Sequence, residues 1–460
     1  MDASIFKAYD IRGVYPTEIN EKDAFKIAQA YAQVLNLVRP GRPGGPKTVA
    51  LGKDIRLSSP AMWEAAKEGL IKAGANVVDI GTISTDMLYF AVGHYGFDGG
   101  ITITASHNPK EYSGMKLVEQ GSAPIFEGNK LPEIKALATK EGFVLENPPG
   151  ALSQKNILAD YAEKVRDFGA LEHLEPIKIV INANFGLAGK FIQEILKDAP
   201  IEWVRLNCEP DGNFPKGRPD PLVPENREEM KKVVAESGAD LGFSWDADAD
   251  RCFVYEKGGK DVEGCYLGAL LAKIMLDRSE NKGGKVVYDP RIVWTVKETI
   301  EKYGGAAVPS KVGHAIIKAK MREVNAFMAV ESSGHFYFAD YFYCDNGLIP
   351  AILVIAYLNE KKITLPEALA EITKNYFVSG EINFQAENKD EIIAALKGKY
   401  GNAKFEEIDG ISIEYSDWRF NVRKSNTEPL LRLNIETRSR ELLKQKREEL
   451  VKLINSLKKQ

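Results

Sequence analysis

Three times along this chain a short apolar run of strand composition ends in a polar cluster. Ile101-Thr102-Ile103 leads into Thr104-Ala105-Ser106-His107-Asn108-Pro109, and Leu241-Gly242-Phe243-Ser244 into Asp246-Ala247-Asp248-Ala249-Asp250-Arg251. Phe327-Met328-Ala329-Val330 leads into Glu331-Ser332-Ser333-Gly334-His335. Amphipathic stretches separate the runs. Met62, Ala66, Leu70 and Ala73 recur at helical spacing, with Ser59 as the expected cap, Pro60 at the first position and Gly74 at the close. Strand and helix alternating in this way call for α/β architecture, with helices packed on the faces of sheets. Open sheets of that kind bind ligands in crevices at the carboxyl ends of their strands, which is where each polar cluster falls.

A chain of 460 residues exceeds what one hydrophobic core supports, so two to four domains are expected. After about Lys374 the texture changes: strand-like segments at 381–384, 411–415 and 430–435 surround helical stretches, and Ser439 begins a long basic helix. This reads as a smaller α+β domain. The Pro- and Gly-dense stretch 39–46 reads as a surface loop. A net charge of −4 gives no electrostatic reason to expect nucleic acid as a partner, so an anionic ligand needs a local basic pocket. Cys208, Cys252, Cys265 and Cys344 show no metal-binding spacing and read as buried reduced thiols. The apolar runs 267–276 and 348–358 are too short to span a bilayer, and no basic-then-apolar leader is present, so a cytoplasmic protein is expected.

The clusters differ in chemistry. Asp246, Asp248 and Asp250 can place hard oxygen ligands around one divalent cation, and Mg²⁺ favours carboxylates plus phosphate oxygens. An EF-hand is excluded, because Arg251 and Lys257 stand where that loop needs Gly and Glu. The hydroxyl of Ser106 is a weak nucleophile, but as a phosphoserine it can donate and regain one phosphoryl group; the alternative is a serine capping a following helix. Glu331 and Ser333 can bind two sugar hydroxyls, Gly334 permits close approach, and His335 can act as a general acid or base. A haloacid-dehalogenase-type phosphatase or mutase with Asp246 as nucleophile also fits a strand followed by Asp-x-Asp, but it leaves Ser106 and the Glu331 cluster without a role. A non-catalytic sugar-phosphate sensor is the third reading.

With Arg423-Lys424-Ser425-Asn426-Thr427-Glu428-Pro429 as a fourth cluster, the order of motifs resembles the α-D-phosphohexomutase family, closest to its phosphomannomutase/phosphoglucomutase members, from Tyr9 to Arg432. The resemblance implies three similar α/β domains with mixed sheets (1–153, 154–256, 257–373) and a smaller C-terminal α+β domain (374–460), with the active site in a central cleft. It implies catalytic roles for Ser106, His107, Lys116, Arg12 and His335, with a Ser106 oxygen joining the three aspartates on Mg²⁺. Implied substrate contacts are Tyr9, Arg251, Arg291, His314 (with Lys318), Glu331 and Ser333. Arg423, Ser425, Asn426 and Thr427 form the implied phosphate-binding loop, with Arg432 as support. Lys53-Asp54-Ile55-Arg56 matches an early motif read as structural.

The implied reaction is reversible conversion of hexose 1-phosphate to hexose 6-phosphate, of mannose and/or glucose, through a bound hexose 1,6-bisphosphate, on a monomer or homodimer. Mutases of glucosamine or N-acetylglucosamine phosphates are alternatives inside the same family. The chain departs from the family pattern at Ser113, Met115, Ala247, Ala249, Arg291 and Val330.

Overall fold

The structure is a computed structural model that describes residues 1–37, 47–425 and 430–458. The expected surface loop at 39–46 lies outside the described residues. The chain forms two compact units, Met1–Asp261 with His335–Glu360, and Val262–Gly334 with Lys361–Gln460.

The first unit holds two mixed sheets. In one, strands run in the order Ile11–Val14, Tyr112–Glu119, Gly99–Ile103, Thr48–Lys53, Asn76–Thr82 and Leu152–Gln154. From Gly99–Ile103 onward the neighbours are parallel, whereas Tyr112–Glu119 is antiparallel to both of its neighbours. Val49, Ala50 and Leu51 are fully buried, as parallel strands covered on both faces require. The helices Glu21–Val34 and Ser59–Lys72 contribute Ala24, Ile27, Met62, Ala66 and Leu70 to the same core.

The second sheet repeats the plan: Ile201–Leu206, Ile177–Asn182 and Leu241–Trp245 are parallel, and Cys252–Glu256 closes the edge antiparallel. Both sheets therefore place a loop between a parallel strand and an antiparallel return, and those loops are residues 104–111 and 246–251.

In the second unit, Lys285–Tyr288 pairs in parallel with Ala306–Pro309 and Met328–Val330. The C-terminal sheet is wholly antiparallel, in the order Phe377–Gln385, Leu430–Thr437, Trp418–Lys424, Ile411–Glu414, Lys404–Glu406. Glu436, fully buried in that sheet, accepts from the backbone N–H of Val293, Trp294 and Thr295 and from the Thr295 hydroxyl. It thereby caps the helix Trp294–Lys302 with a negative charge at its positive end. Arg419 donates to the carbonyls of Pro290 and Arg291 at 3.0 Å each, so the C-terminal sheet grips the loop that carries Arg291.

Several local expectations are corrected. Ser59 does not cap its helix: its hydroxyl donates to Asp54 Oδ1 at 2.5 Å, because a carboxylate within reach is a stronger acceptor partner than the helix N–H groups offer as donors. Ser106 caps no helix either, since the strand Tyr112–Glu119 follows it. Ser439 does cap the terminal helix Arg440–Leu457, accepting from Leu442 N. The strand Trp418–Lys424 does not announce itself in the sequence, because Arg419, Asn421 and Arg423 interrupt its apolar pattern; all three are buried. The four cysteines are free and buried. Among the described residues no helix is long and apolar enough to cross a membrane.

Asp86 ties parts of the first unit together. It lies fully buried in the first turn of Thr85–Tyr95 and accepts from Tyr161 Oη and from Asn346 Nδ2, while Tyr341 Oη donates to its carbonyl. Burial lifts its carboxyl to about 7. The folded chain then holds this proton more tightly than the unfolded chain. The associated stability is fully present below about pH 4 and is lost as pH rises through about 7, a change of up to about 4 kcal/mol. Asp86→Asn, which cannot ionise, is expected to flatten the fall in urea midpoint over that range; equal slopes in both proteins would refute the assignment.

Candidate active site

The serine loop is strained and heavily held. Ser106 is buried with φ +49°, a left-handed conformation disfavoured for any residue with a side chain. Its N–H donates to Thr104 Oγ1 at 3.0 Å, and its Oγ lies 3.1 Å from His107 Nδ1. Arg12, on Ile11–Val14, reaches the same loop by donating to Asn108 Oδ1 at 2.7 Å and Ala105 O at 3.4 Å, with Asp10 accepting from its Nε. Arg56 grips the loop's carbonyls from the other side. Burial, then the charges of Arg251 and Arg12, push the His107 imidazole well below its ordinary value, so it is neutral beside the serine.

Across from this sheet, the 246–251 loop presents three buried carboxylates whose oxygens lie within 4.8 Å of one another. Lys116, on the strand after the serine loop, donates to Asp248 Oδ2 at 2.8 Å and Asp250 Oδ2 at 2.6 Å. Thr85 donates to Asp248 Oδ2 at 2.6 Å. Arg251 turns back onto Asp246 at 2.9 Å and Asp220 at 3.5 Å. His335 Nε2 lies 3.4 Å from Asp250 Oδ1.

The surroundings set Asp246 and Asp250 apart. Burial drives Asp246 well above the ordinary carboxylate range, and Asp250 and Asp248 add to it, against Arg251. Burial also pushes Asp250 up, but Lys116 and then His335 outweigh it and hold it well below that range. Lys116 is raised in return, because Asp248 and Asp250 outweigh its own burial.

The loop fits a divalent cation. Asp248 Oδ1 is buried and accepts no hydrogen bond, three hard oxygen donors converge, and a bound dication would offset the burial that penalises Asp246. Ala249, one of the two alanines that space the aspartates, takes φ +56°. Its carbonyl accepts from Gly347 N at 3.1 Å, and a Cβ on Gly347 would come within 2.5 Å of that carbonyl oxygen, so Gly347 permits the contact that seats the strained alanine. Asp248→Asn is expected to weaken Mg²⁺ binding, titrated by calorimetry, by at least about tenfold. An unchanged Kd would remove Asp248 from the ligand set.

The second unit carries the remaining residues. Arg291 forks onto Asp289 at 2.9 Å twice and donates to Glu331 Oε1 at 3.2 Å; Asp289 Oδ2 accepts from Ser332 N at 2.6 Å. Arg423 and Arg432 both approach Glu381, at 3.4 and 3.1 Å, and Arg291 stands 3.8 Å from it. Three guanidinium groups thus share one carboxylate. Burial, then the like charge of Arg291, lower the Arg423 pKa, and its Nε is buried without a hydrogen bond. A buried guanidinium donor left unfilled beside two further guanidiniums suits an anion. His314 begins the helix His314–Val324, which also carries buried Lys318. Ser333 and Ser425 are half-buried in their loops; Asn426 and Thr427 lie outside the described residues.

Of the expected residues, the first unit holds Tyr9, Arg12, Ser106, His107, Lys116, the aspartates, Arg251 and His335, and the second unit the rest. Sequence reasoning missed Thr85, Asp220, Glu381 and Asp345, whose carboxylate lies within 4.8 Å of ligand atoms of Asp250 and His335. Asp345 carried a signal that could have found it, since Asp345-Asn346 follows the apolar run Tyr341-Phe342-Tyr343-Cys344.

Profiles of the phosphoglucomutase/phosphomannomutase family match the chain along its length: alpha/beta/alpha domain I at 3–144, domain II at 159–259, domain III at 263–376 and the C-terminal domain at 381–453. A phosphomannomutase of Vibrio cholerae is 41% identical, with 99% of each chain covered. A protein of Xanthomonas campestris described as phosphohexose mutases is 42% identical over 95% of this chain and 96% of its own. The crystal structure of a phosphoglucomutase/phosphomannomutase family protein from Burkholderia thailandensis superposes with a TM-score of 0.86 at 30% identity, covering 100% of this chain and 99% of that one. With four domains matched in order and relatives above two-fifths identity end to end, the chain belongs to the phosphoglucomutase/phosphomannomutase family of phosphohexomutases.

Proposed function

We propose that this phosphohexomutase interconverts the 1- and 6-phosphates of mannose and glucose, with Ser106 as the phosphate carrier. The observation that carries the reading is the convergence, within one unit, of a strained serine loop, a neutral histidine, a buried ammonium and a three-carboxylate loop.

Phosphorylated Ser106 transfers its phosphoryl group to the free hydroxyl of the bound monophosphate. The bond between Ser106 Oγ and phosphorus breaks, a bond from phosphorus to the sugar oxygen forms, and the hydroxyl proton leaves to a base. The resulting 1,6-bisphosphate turns over, and Ser106 takes back the other phosphate. Lys116 places positive charge where phosphoryl oxygens gather negative charge. Neutral His107 can hydrogen-bond the serine oxygen, and His335, beside Asp250, is the second candidate for moving the sugar proton. Asp246, Asp248 and Asp250 would hold Mg²⁺, which neutralises phosphoryl charge when bound.

Within the second unit, Glu331 and Ser333 are assigned to sugar hydroxyls and Arg423, with Ser425, Asn426 and Thr427, to the idle phosphate. Arg291 positions Glu331, and His314 is assigned to the substrate. In the first unit Tyr9, Arg12 and Arg251 are assigned to the phosphates. We keep 1–153, 154–256, 257–373 and 374–460 as the working domain limits. The cytoplasm, where the four free thiols stay reduced, is the proposed compartment, and hexose monophosphates with the 1,6-bisphosphate as activator are the proposed ligands, on a monomer or homodimer with no nucleic-acid or membrane partner.

The test follows glucose 1-phosphate and mannose 1-phosphate by phosphorus NMR with a trace of the 1,6-bisphosphate. Wild type is expected to produce both 6-phosphates, and Ser106→Ala to be slower by at least about 10³-fold. Conversion of neither sugar, or full turnover in the variant, would sink the reading.

A further inference from the structure

We infer that Arg56 is a positioning residue for phosphoryl transfer, whose guanidinium holds the serine loop in the conformation from which Ser106 Oγ reacts. The inference rests on the reading of Ser106 as phosphate carrier.

One side chain makes four bonds to the loop's backbone. Arg56 Nη1 donates to Pro109 O at 2.7 Å and to Tyr112 O at 3.2 Å, and Nη2 donates to Ser106 O and Asn108 O at 2.6 Å each. These carbonyls span the whole turn from the serine to the returning strand, so the guanidinium fixes the loop at its entry, its crest and its exit. None of the bonds reaches Ser106 Oγ, which leaves the hydroxyl to its chemistry while the backbone beneath it is held. The constraint matters because the loop's own preference opposes it: Ser106 sits at φ +49° with a side chain present. A residue kept in that region persists only where its surroundings over-determine it.

The clamp is itself fixed on three sides. Asp54 Oδ1 accepts from Arg56 N at 2.9 Å, and Asp54 Oδ2 stands 3.2 Å from Nε. The hydroxyl of Ser59 donates to Asp54 Oδ1, locking the carboxylate in turn. The ring of Phe214, from the loop that follows the strand Ile201–Leu206, has its centroid 5.0 Å from the guanidinium carbon. At Gly212 an added Cβ would come within 2.3 Å of Ile55 O, so the 212–214 backbone is pressed against the turn that carries Arg56. Arg56 is only 1% exposed, and this enclosure is what a planar fork with fixed donor directions needs in order to define positions. A lysine offers a point charge on a flexible stem and cannot reproduce four directed bonds.

The experiment compares Arg56→Ala, Arg56→Lys and Phe214→Leu with wild type and Ser106→Ala. It reads kcat and KM for glucose 1-phosphate, thermal stability, and phosphate on Ser106 after loading with glucose 1,6-bisphosphate. A displacement of about 1 Å at a reacting atom costs on the order of 10²-fold, so kcat of Arg56→Ala is expected to fall by about that much, with KM within about threefold of wild type. Arg56→Lys should recover less than about a tenth of the loss, and added methylguanidinium should raise kcat of Arg56→Ala without raising that of wild type. Phe214→Leu, which keeps every hydrogen bond and removes only the ring beneath the guanidinium, should lower kcat by about three- to tenfold.

A folded Arg56→Ala with kcat within about threefold of wild type would overturn the inference. So would a loss of activity that only tracks the folded fraction and shows no response to methylguanidinium. If Arg56→Ala does not fold, an unchanged kcat in Phe214→Leu overturns it. Full turnover by Ser106→Ala would instead remove the phosphoserine reading, whereas a wild type phosphorylated on Ser106 with Arg56 variants unaffected would defeat this inference alone.

Discussion

The ammonium of Lys116 between Asp248 and Asp250 is the contact on which the carboxylate loop of the first unit depends. Three carboxylates buried within 4.8 Å of one another repel, and each has lost its water. Burial and the neighbouring carboxylates raise Asp246 well above the ordinary carboxylate range. Lys116 keeps Asp250 ionised, and the two aspartates keep Lys116 charged in spite of its burial. Removing one member of a buried pair leaves an uncompensated charge, which costs about 3–5 kcal/mol. The pair also joins two sheets, since Lys116 lies on the strand that returns from the serine loop and its partners lie on the aspartate loop. Serine, ammonium and carboxylates are thereby fixed relative to one another before any ligand arrives, which is the preorganisation that charge stabilisation in catalysis requires.

The second unit solves the opposite electrostatic problem. Arg291, Arg423 and Arg432 crowd around Glu381, and Arg291 is neutralised further by Asp289 and Glu331. The C-terminal sheet holds this group through Arg419 and Glu436, which bind backbone around Arg291 instead of competing for its guanidinium. Guanidinium donors that these carboxylates leave unfilled, such as Arg423 Nε, suit the oxygens of an anion.

Much of this was legible in the sequence because the chemistry sits at strand ends. The serine, aspartate and glutamate clusters each follow an apolar run, and parallel strands buried on both faces announce themselves as such runs. The motif of Arg56 reads as structural, and the fold adds what it holds, the carbonyls of a loop some fifty positions away, at Ser106, Asn108 and Pro109. The neighbours of Thr85 and Asp345 are not legible in the sequence, because long-range folding alone brings them to Asp248 and Asp250. The strand Trp418–Lys424 was hidden by Arg419, Asn421 and Arg423, buried polar residues whose partners lie elsewhere in the second unit. Sequence pattern reports burial in apolar company; it does not report polar residues that are buried because a partner meets them.

The most direct test of the account is the position and acid stability of the enzyme-bound phosphate. The protein is loaded with hexose 1,6-bisphosphate, quenched in acid, digested, and the phosphate located by mass spectrometry. The account predicts an acid-stable phosphate on the peptide containing Ser106, absent from Ser106→Ala. An acid-labile phosphate on the peptide containing Asp246, with Ser106 unmodified, would contradict it.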